Sequence, residues 1–222
     1  MKLTSIYVTG FLEHIAQEKG QIIVRMNNCN EKAKVYEGSE MECACEEKIF
    51  GEFPQKDIKL SHSLPLFAEG DKVRLTSFFD KNDSFTLENL TLNQMCGLEK
   101  AFPENADSEK GELFSVDVEG TLEHIAWNKK SVALRIKCST RKYDFFADNG
   151  HESDKTEAFK KEVYLEIKRE ELRLDIGIET LSAFKKGDKV CLSRLVDTGS
   201  FDLYNLTLGG YAKSHYKATW TL

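Results

Sequence analysis

The sequence has little proline, three residues in 222, and its 14 glycines follow no fixed period. Collagen-like and Pro-rich classes are thereby excluded. It has no long hydrophobic run, and nothing in it approaches the ~18 apolar residues that suggest a membrane helix. The start, Met1 to Gly10, is broken by polar residues every few positions. It lacks the apolar stretch of a signal peptide, so an intracellular protein is expected, cytoplasmic if the source is prokaryotic, with no membrane partner. None of the six cysteines forms a C-x-x-C pair, and zinc-type spacing with histidine partners is missing. Cys29, Cys43, Cys45, Cys96, Cys138 and Cys191 are expected to be reduced thiols packed as small apolar side chains. No metal and no cofactor is expected. The motifs G-x-x-x-x-G-K-[ST], G-x-S-x-G, H-E-x-x-H and G-x-G-x-x-G are absent. No carboxylate pair or nucleophile–base pair stands out either, so no catalytic residue is assigned and a non-enzymatic protein is expected. Asn82, Asn89 and Asn205 head Asn-x-Ser/Thr triplets. Without a secretion signal these read as strand chemistry or chance, not glycan sites.

Neither sign of charge dominates. There are 31 basic and 37 acidic residues, a net charge of −6. That excludes a uniformly basic nucleic-acid coat. A local basic groove stays open, because the field at a site depends on how charge is distributed. With 41% hydrophobic and 31% charged residues the composition is that of a globular protein.

What the sequence does contain is a repeat. The segment from Val8 to Met26 recurs from Val118 to Ile136, with nine of nineteen positions identical. Gly70-Asp71-Lys72-Val73-Arg74-Leu75 recurs as Gly187-Asp188-Lys189-Val190-Cys191-Leu192, five of six. Phe85 to Leu92 recurs as Phe201 to Leu208, six of eight. The three blocks keep their order, which points to a tandem duplication. A period of about 110 residues is far longer than a solenoid repeat, so each copy is a domain. The expected boundaries are 1–97 for the first copy, 98–113 for an acidic, exposed linker, and 114–222 for the second copy with its tail.

Each copy reads as strands. Ile22, Val24 and Met26 alternate with Ile23, Arg25 and Asn27, and Val132, Leu134 and Ile136 alternate with Ala133, Arg135 and Lys137. Period two over this length argues for half-buried strands. Val163, Leu165 and Ile167 alternate too, as do Leu172, Leu174, Ile176 and Ile178. Short polar connections, Gln17–Gly20 and Trp127–Lys130, join the first two strands of each copy; 80–83 and Asp197–Gly199 join the last two. Gly10 and Gly120 fall inside the first strands, where glycine marks a bulge or a sharp bend. The parity of Phe85 and Leu87 slips at Leu90 and Leu92, and that slip predicts a bulge near Asn89 and Asn205.

A glycine-bent first strand, an early hairpin, an irregular middle and a final hairpin together resemble the OB-fold, a five-stranded barrel. The resemblance covers both copies and implies an all-β class with minor helix: two tandem OB-like five-stranded barrels. An extra helix is expected in the irregular middle, limited in the first copy by Pro65. The resemblance also implies oligonucleotide binding through the strand 2–3 face and the loops after strands 1 and 4.

A single-strand binder needs cations along the phosphates and aromatic faces for the bases. Arg25 and Arg135 hold the same repeat position, on the outward face of the second strand. The second copy adds Lys129 and Lys130 in its first hairpin, then Lys137, Arg141 and Lys142, with Tyr143 and Phe145 interleaved and Trp127 beside the hairpin. Residues 1–100 carry a net charge of −4 and residues 114–222 a net charge of +1. The expected function is therefore single-stranded DNA or RNA binding, mainly through the second barrel. The competing reading is a protein-interaction adaptor, favoured by the acidic first copy. The tail from Gly209 to Leu222, with Lys213, His215 and Lys217 among aromatics, is expected either to dock on the second barrel or to cap a partner.

Overall fold

A computed structural model of the chain describes residues 3–35, 40–43, 47–79, 84–104, 111–146, 152–175 and 178–208. The tail, the 80–83 connection with Asn82, Cys45 and Ile176 lie outside these residues. The chain divides into two compact units, Met1–Gln94 and Met95–Leu222.

Alternating sequence gives strands in both. The first unit contains β1 (Leu3–Glu18), β2 (Gln21–Val35), β3 (Glu40–Cys43), β4 (Lys48–Pro54), β5 (Ile58–Leu60), β6 (Lys72–Phe78) and β7 (Ser84–Asn89). They hydrogen-bond in the order β3-β2-β1-β6-β7-β5, with β4 also on β2. The second unit contains β8 (Glu112–Trp127), β9 (Ser131–Phe146), β10 (Glu152–Ala158), β11 (Glu162–Lys168), β12 (Leu172–Leu174), β13 (Lys189–Leu195) and β14 (Phe201–Asn205). Its order repeats the first: β10-β9-β8-β13-β14-β12, with β11 on β9. In each unit the shortest central strand runs parallel to the last one, β5 to β7 and β12 to β14.

The all-β class with minor helix holds; α1 (Leu98–Ala101) is a single turn. The five-stranded closed barrel is corrected. Each sheet has seven strands, and it does not close. A turn separates β4 from β5 and β11 from β12, so the expected third strand is split into two pieces that pair with different neighbours. The irregular middle holds no longer helix among the described residues. Its helical turns there are 3-10: Leu64–Leu66 with Pro65 inside it in the first unit, Arg169–Glu171 and Leu181–Ala183 in the second.

The glycines do what their position in a strand suggested. The β1–β2 register shifts between Thr9 and Phe11, and the β8–β9 register shifts between Glu119 and Gly120. A Cβ on Gly10 would stand 2.7 Å from the Asn27 carbonyl oxygen, and one on Gly120 only 2.3 Å from that of Lys137. Backbone approaches backbone at both bends, and no side chain fits between.

The three repeated blocks meet at one place in each unit. Leu12 and Gly70 exchange main-chain bonds around the Gly-Asp turn: Leu12 N–H donates to the Asp71 carbonyl and Gly70 N–H to the Leu12 carbonyl, both at 2.8 Å. The Asp71 carboxylate accepts from the Ala68 N–H at 2.9 Å and from the Asn89 side-chain amide at 2.6 Å. The Asn89 oxygen then accepts from the Leu92 N–H at 3.0 Å, and the Thr91 hydroxyl accepts from the Lys72 N–H at 2.8 Å. The second unit repeats the set. Asp188 accepts from the Lys185 N–H and the Asn205 amide, Asn205 from the Thr207 and Leu208 N–H groups, and Thr207 from the Lys189 N–H. The duplicated residues therefore form a latch that ties the middle of the first strand to the start of one later strand and the end of another.

This latch corrects the expected bulge at the asparagines. The ladders run regularly through Val73–Asn89 and Val190–Asn205, and the strands stop there. Each asparagine turns the chain with its own side chain, an Asx-type turn. Both are fully buried, so the triplets at Asn89 and Asn205 are structural.

The expected exposed linker is corrected in its first part. Cys96 bridges to Val163, and its N–H donates to the Glu162 carbonyl while its carbonyl accepts from the Tyr164 N–H. Phe102 is fully buried in the second core, edge-on to Phe201 at 5.7 Å. Arg141 donates to the Lys100 carbonyl at 2.8 Å and Arg194 to the Phe102 carbonyl at 3.2 Å. Residues 95–104 are thus a strap belonging to the second unit. Residues 105–110 lie outside the described ones.

Among the cysteines, Cys29, Cys138 and Cys191 are buried and unbonded to one another, as small apolar side chains would be. Burial pushes the Cys138 thiol up to about 12 and raises that of Cys191. Among the described helices none is long and apolar enough to cross a membrane.

Candidate nucleic-acid interface

The first hairpin of the second unit is set by Asn128. Its side-chain oxygen accepts from the Lys130 N–H at 2.7 Å and the Ser131 N–H at 2.9 Å, and its own N–H donates to the Ser131 carbonyl. That turn holds Lys129 and Lys130 at an exposed tip. The Arg169 N–H donates to the Lys130 carbonyl at 2.8 Å, which brings the end of β11 against the tip. Ser131 Oγ donates to Glu166 at 2.7 Å and fastens the same two elements.

The result is an open groove of about 950 Å³ lined by Asn128, Lys129, Lys130, Ser131, Glu166, Lys168, Arg169 and Glu170. Four of these side chains are cationic and two are acidic. Glu166 is held by Ser131, and Lys168 is bonded to Glu171 at 2.8 Å beyond the groove's own lining. Trp127 precedes the hairpin, 47% exposed for a large aromatic side chain. The first unit has the same main-chain bond, from the Gln55 N–H to the Gly20 carbonyl at 2.9 Å. There Gly20, Pro54 and Gln55 stand where the second unit has Lys130, Lys168 and Arg169. The cation cluster is therefore a property of one copy laid on a scaffold that both share.

The other expected site residues fall elsewhere. Tyr143 and Phe145 are core residues, not stacking faces. The β8–β9 register passes from Gly120–Cys138 to Glu119–Thr140, and the skipped residue, Ser139, reverses the parity of everything after it. Arg141 is not free for phosphate. It pairs with Glu157, donates to strap carbonyls, and lies 4.2 Å over the Phe159 ring. Lys142 pairs with Asp144 and Asp154. Arg135 stands on the outward parity as expected, yet it is only 4% exposed. Its ladder partner Tyr164 lies under the strap, where a Cβ on Gly97 would come 3.7 Å from the tyrosine hydroxyl. Lys137 is exposed, beside Glu162 on the neighbouring strand. Arg25 is exposed in the first unit, with its guanidinium 5.8 Å from the Phe50 ring. Of the ten expected residues, Lys129 and Lys130 line the groove, and Trp127 precedes its first lining residue in the chain. Lys168 and Arg169 join them and were missed, because they lie about forty residues downstream at the end of an ordinary alternating strand.

A second polar cluster lies behind β8. Asp117 is buried opposite Lys142, hydrogen-bonded by Ser193, and its Oδ1 has no hydrogen-bond partner. Burial raises its pKa from the usual carboxylate range to about 6, with Asp144 and Glu119 adding to the rise and Lys142 opposing it. A carboxyl whose folded pKa lies above its unfolded value favours the folded state only while it keeps its proton. Stability is therefore lost as pH rises from about 4 through about 6, by roughly 3 kcal/mol for a shift of this size. Asp117→Asn is expected to remove that loss and raise the melting temperature at pH 7 but not at pH 4. Thermal melts of both proteins across pH 4 to 7 measure it.

Among the described residues no group of three histidine, cysteine or acidic side chains is arranged to hold a metal ion. No protein-family model matches the chain, and no curated protein matches it.

Proposed function

We propose that the chain is a non-enzymatic, single-stranded nucleic-acid-binding protein built on two opened OB-like barrels, with the second unit as its main binding element. The support for the fold reading is the glycine-bent first strand and the antiparallel pairing of the first two and last two long strands, repeated in both units within the same strand order. The observation that carries the function is the groove of Lys129, Lys130, Lys168 and Arg169, with exposed Trp127 two residues before Lys129 in the chain. Cations neutralise phosphates and release counterions, and an exposed indole offers a base a stacking face. The chain's net negative charge does not oppose this, because the first unit lacks three of the four cations at the same place.

The test is fluorescence anisotropy with labelled dT20 and U20 and a duplex control, over a salt series. Single strands are expected to bind at micromolar protein or tighter. The slope of log K against log salt should be about −2 to −3, the value for three or four phosphates on a single strand. Lys129→Glu/Lys130→Glu should weaken binding at least tenfold and flatten the slope. Trp127→Ala should cost about 1–3 kcal/mol with the slope unchanged. Salt-insensitive binding, or none at micromolar protein, overturns the reading.

A further inference from the structure

The duplication lets each unit serve as a template for the other. In the second unit His124, Arg135 and Tyr164 stand side by side on β8, β9 and β11. In the first unit His14, Arg25 and Phe50 hold the same register on β1, β2 and β4. The two faces differ in what lies over them. The second carries the strap: Cys96 adds to the outer edge of β11 as a short parallel bridge, with one main-chain bond to the Glu162 carbonyl and one from the Tyr164 N–H. Gly97 then passes against the tyrosine ring.

Among the described residues nothing pairs with the outer edge of β4. Lys48, Ile49 and Phe50 correspond to Glu162, Val163 and Tyr164, so the shared register turns the Lys48 carbonyl and the Phe50 N–H toward that edge. Phe50 is 58% exposed, with the Arg25 guanidinium 5.8 Å from its ring, and among the described residues no strap lies against it as Gly97 lies against Tyr164. An open strand edge with an exposed ring is a template for another strand.

We propose that the edge of β4 binds an extended segment of a partner protein, parallel to β4, in the place that residues 95–98 hold on β11. The occupant is short, with a small residue where it crosses Phe50. The long strap is anchored by Arg141 and Arg194, and the first unit has Glu31 and Ser77 at those positions, so the anchored half has no counterpart. Glycine or alanine over the ring and an apolar residue after it, as in Gly97-Leu98, is the pattern the template prescribes. This site shares no residue with the cationic groove, and it stands whether or not the protein binds nucleic acid.

The probe is a synthetic peptide of residues 94–99 with Cys96→Ser, titrated into the full-length protein and followed by amide spectra. Shifts are expected at Lys48, Ile49 and Phe50, with slowed exchange of the Phe50 N–H. Phe50→Pro removes the edge-facing donor together with the ring, at a position where an edge strand tolerates proline, and should weaken binding at least tenfold. A peptide N-methylated at position 96 loses the opposite bond and should weaken it similarly, with the protein unchanged. Lys129→Glu/Lys130→Glu should bind the peptide as the natural protein does. No shift in β4 at millimolar peptide overturns the proposal. So do shifts confined to β11, or an affinity indifferent to both the proline and the N-methyl group.

Discussion

Gly120→Ala is expected to destabilise the second unit by about 3 kcal/mol or more, the upper end of overpacking costs. The added carbon would stand 2.3 Å from a carbonyl oxygen and 2.7 Å from a Cα, and both belong to the neighbouring strand's backbone. A side chain in that place could rotate away; a main chain held in a ladder cannot. Gly10→Ala should cost less. One of its three close contacts is the end of the Met26 side chain, and another is the Cys29 sulfur, which can rotate. Gly97→Ala is the control, since its Cβ meets nothing nearer than 3.7 Å, and it should stay within about 0.5 kcal/mol. Denaturant melts of the three variants give the order. Equal stability of Gly120→Ala and Gly97→Ala would show that the strand bend relaxes freely.

The latch should yield the second large effect. Asn89→Ala removes an amide at 2.6 Å from a buried carboxylate and an oxygen that caps the following turn. The loss leaves Asp71, 3% exposed, short of a partner, and a buried group deprived of a charged hydrogen bond costs about 2–4 kcal/mol. Asn89→Asp should be worse at pH 7, because two carboxylates would face each other without water between them. Acid should relieve it, as one of the pair takes up a proton. Asn205→Ala and Asn205→Asp should repeat the pattern at Asp188, whose contacts are the same in kind. Melts at pH 5 and pH 7 separate the two substitutions. An Asn89→Asp protein as stable as the parent at pH 7 would mean that the carboxylate is not held as the geometry places it.

These two sites also mark where the sequence was easy to read and where it was not. The blocks that survived duplication are those that touch one another, so the repeat pointed straight at the scaffold. Alternation located β2, β9 and β11 because their apolar residues face a core at every second position. It failed past Ser139, since a single unpaired residue in β9 exchanges the two faces. Tyr143 and Phe145 were interleaved with Arg141 and Lys142 in the chain, which suggested a binding wall. In space the aromatics turn inward and the cations find carboxylates. Nothing local in the sequence announces which residue a ladder will skip.

The groove was half legible for a related reason. Lys129 and Lys130 sit in a short polar hairpin, and such residues are exposed almost by necessity. Lys168 and Arg169 reach the same groove only through the bond between the Arg169 N–H and the Lys130 carbonyl. That is a long-range contact, and composition cannot reveal it. The difference between the copies carries the signal instead, because Lys168-Arg169 puts two cations where the first unit has the uncharged Pro54-Gln55.

The strap carries a practical consequence for dissection of the molecule. Composition suggests cutting between the copies near residue 114, yet Phe102 fills the second core and its carbonyl is held by Arg194. A fragment starting at Phe114 would carry a phenyl-sized void and bare guanidinium groups. Any aggregation of that fragment would then report the missing strap and the shortened β8 rather than the character of the barrel. Starting the fragment at Met95 keeps the plug in place.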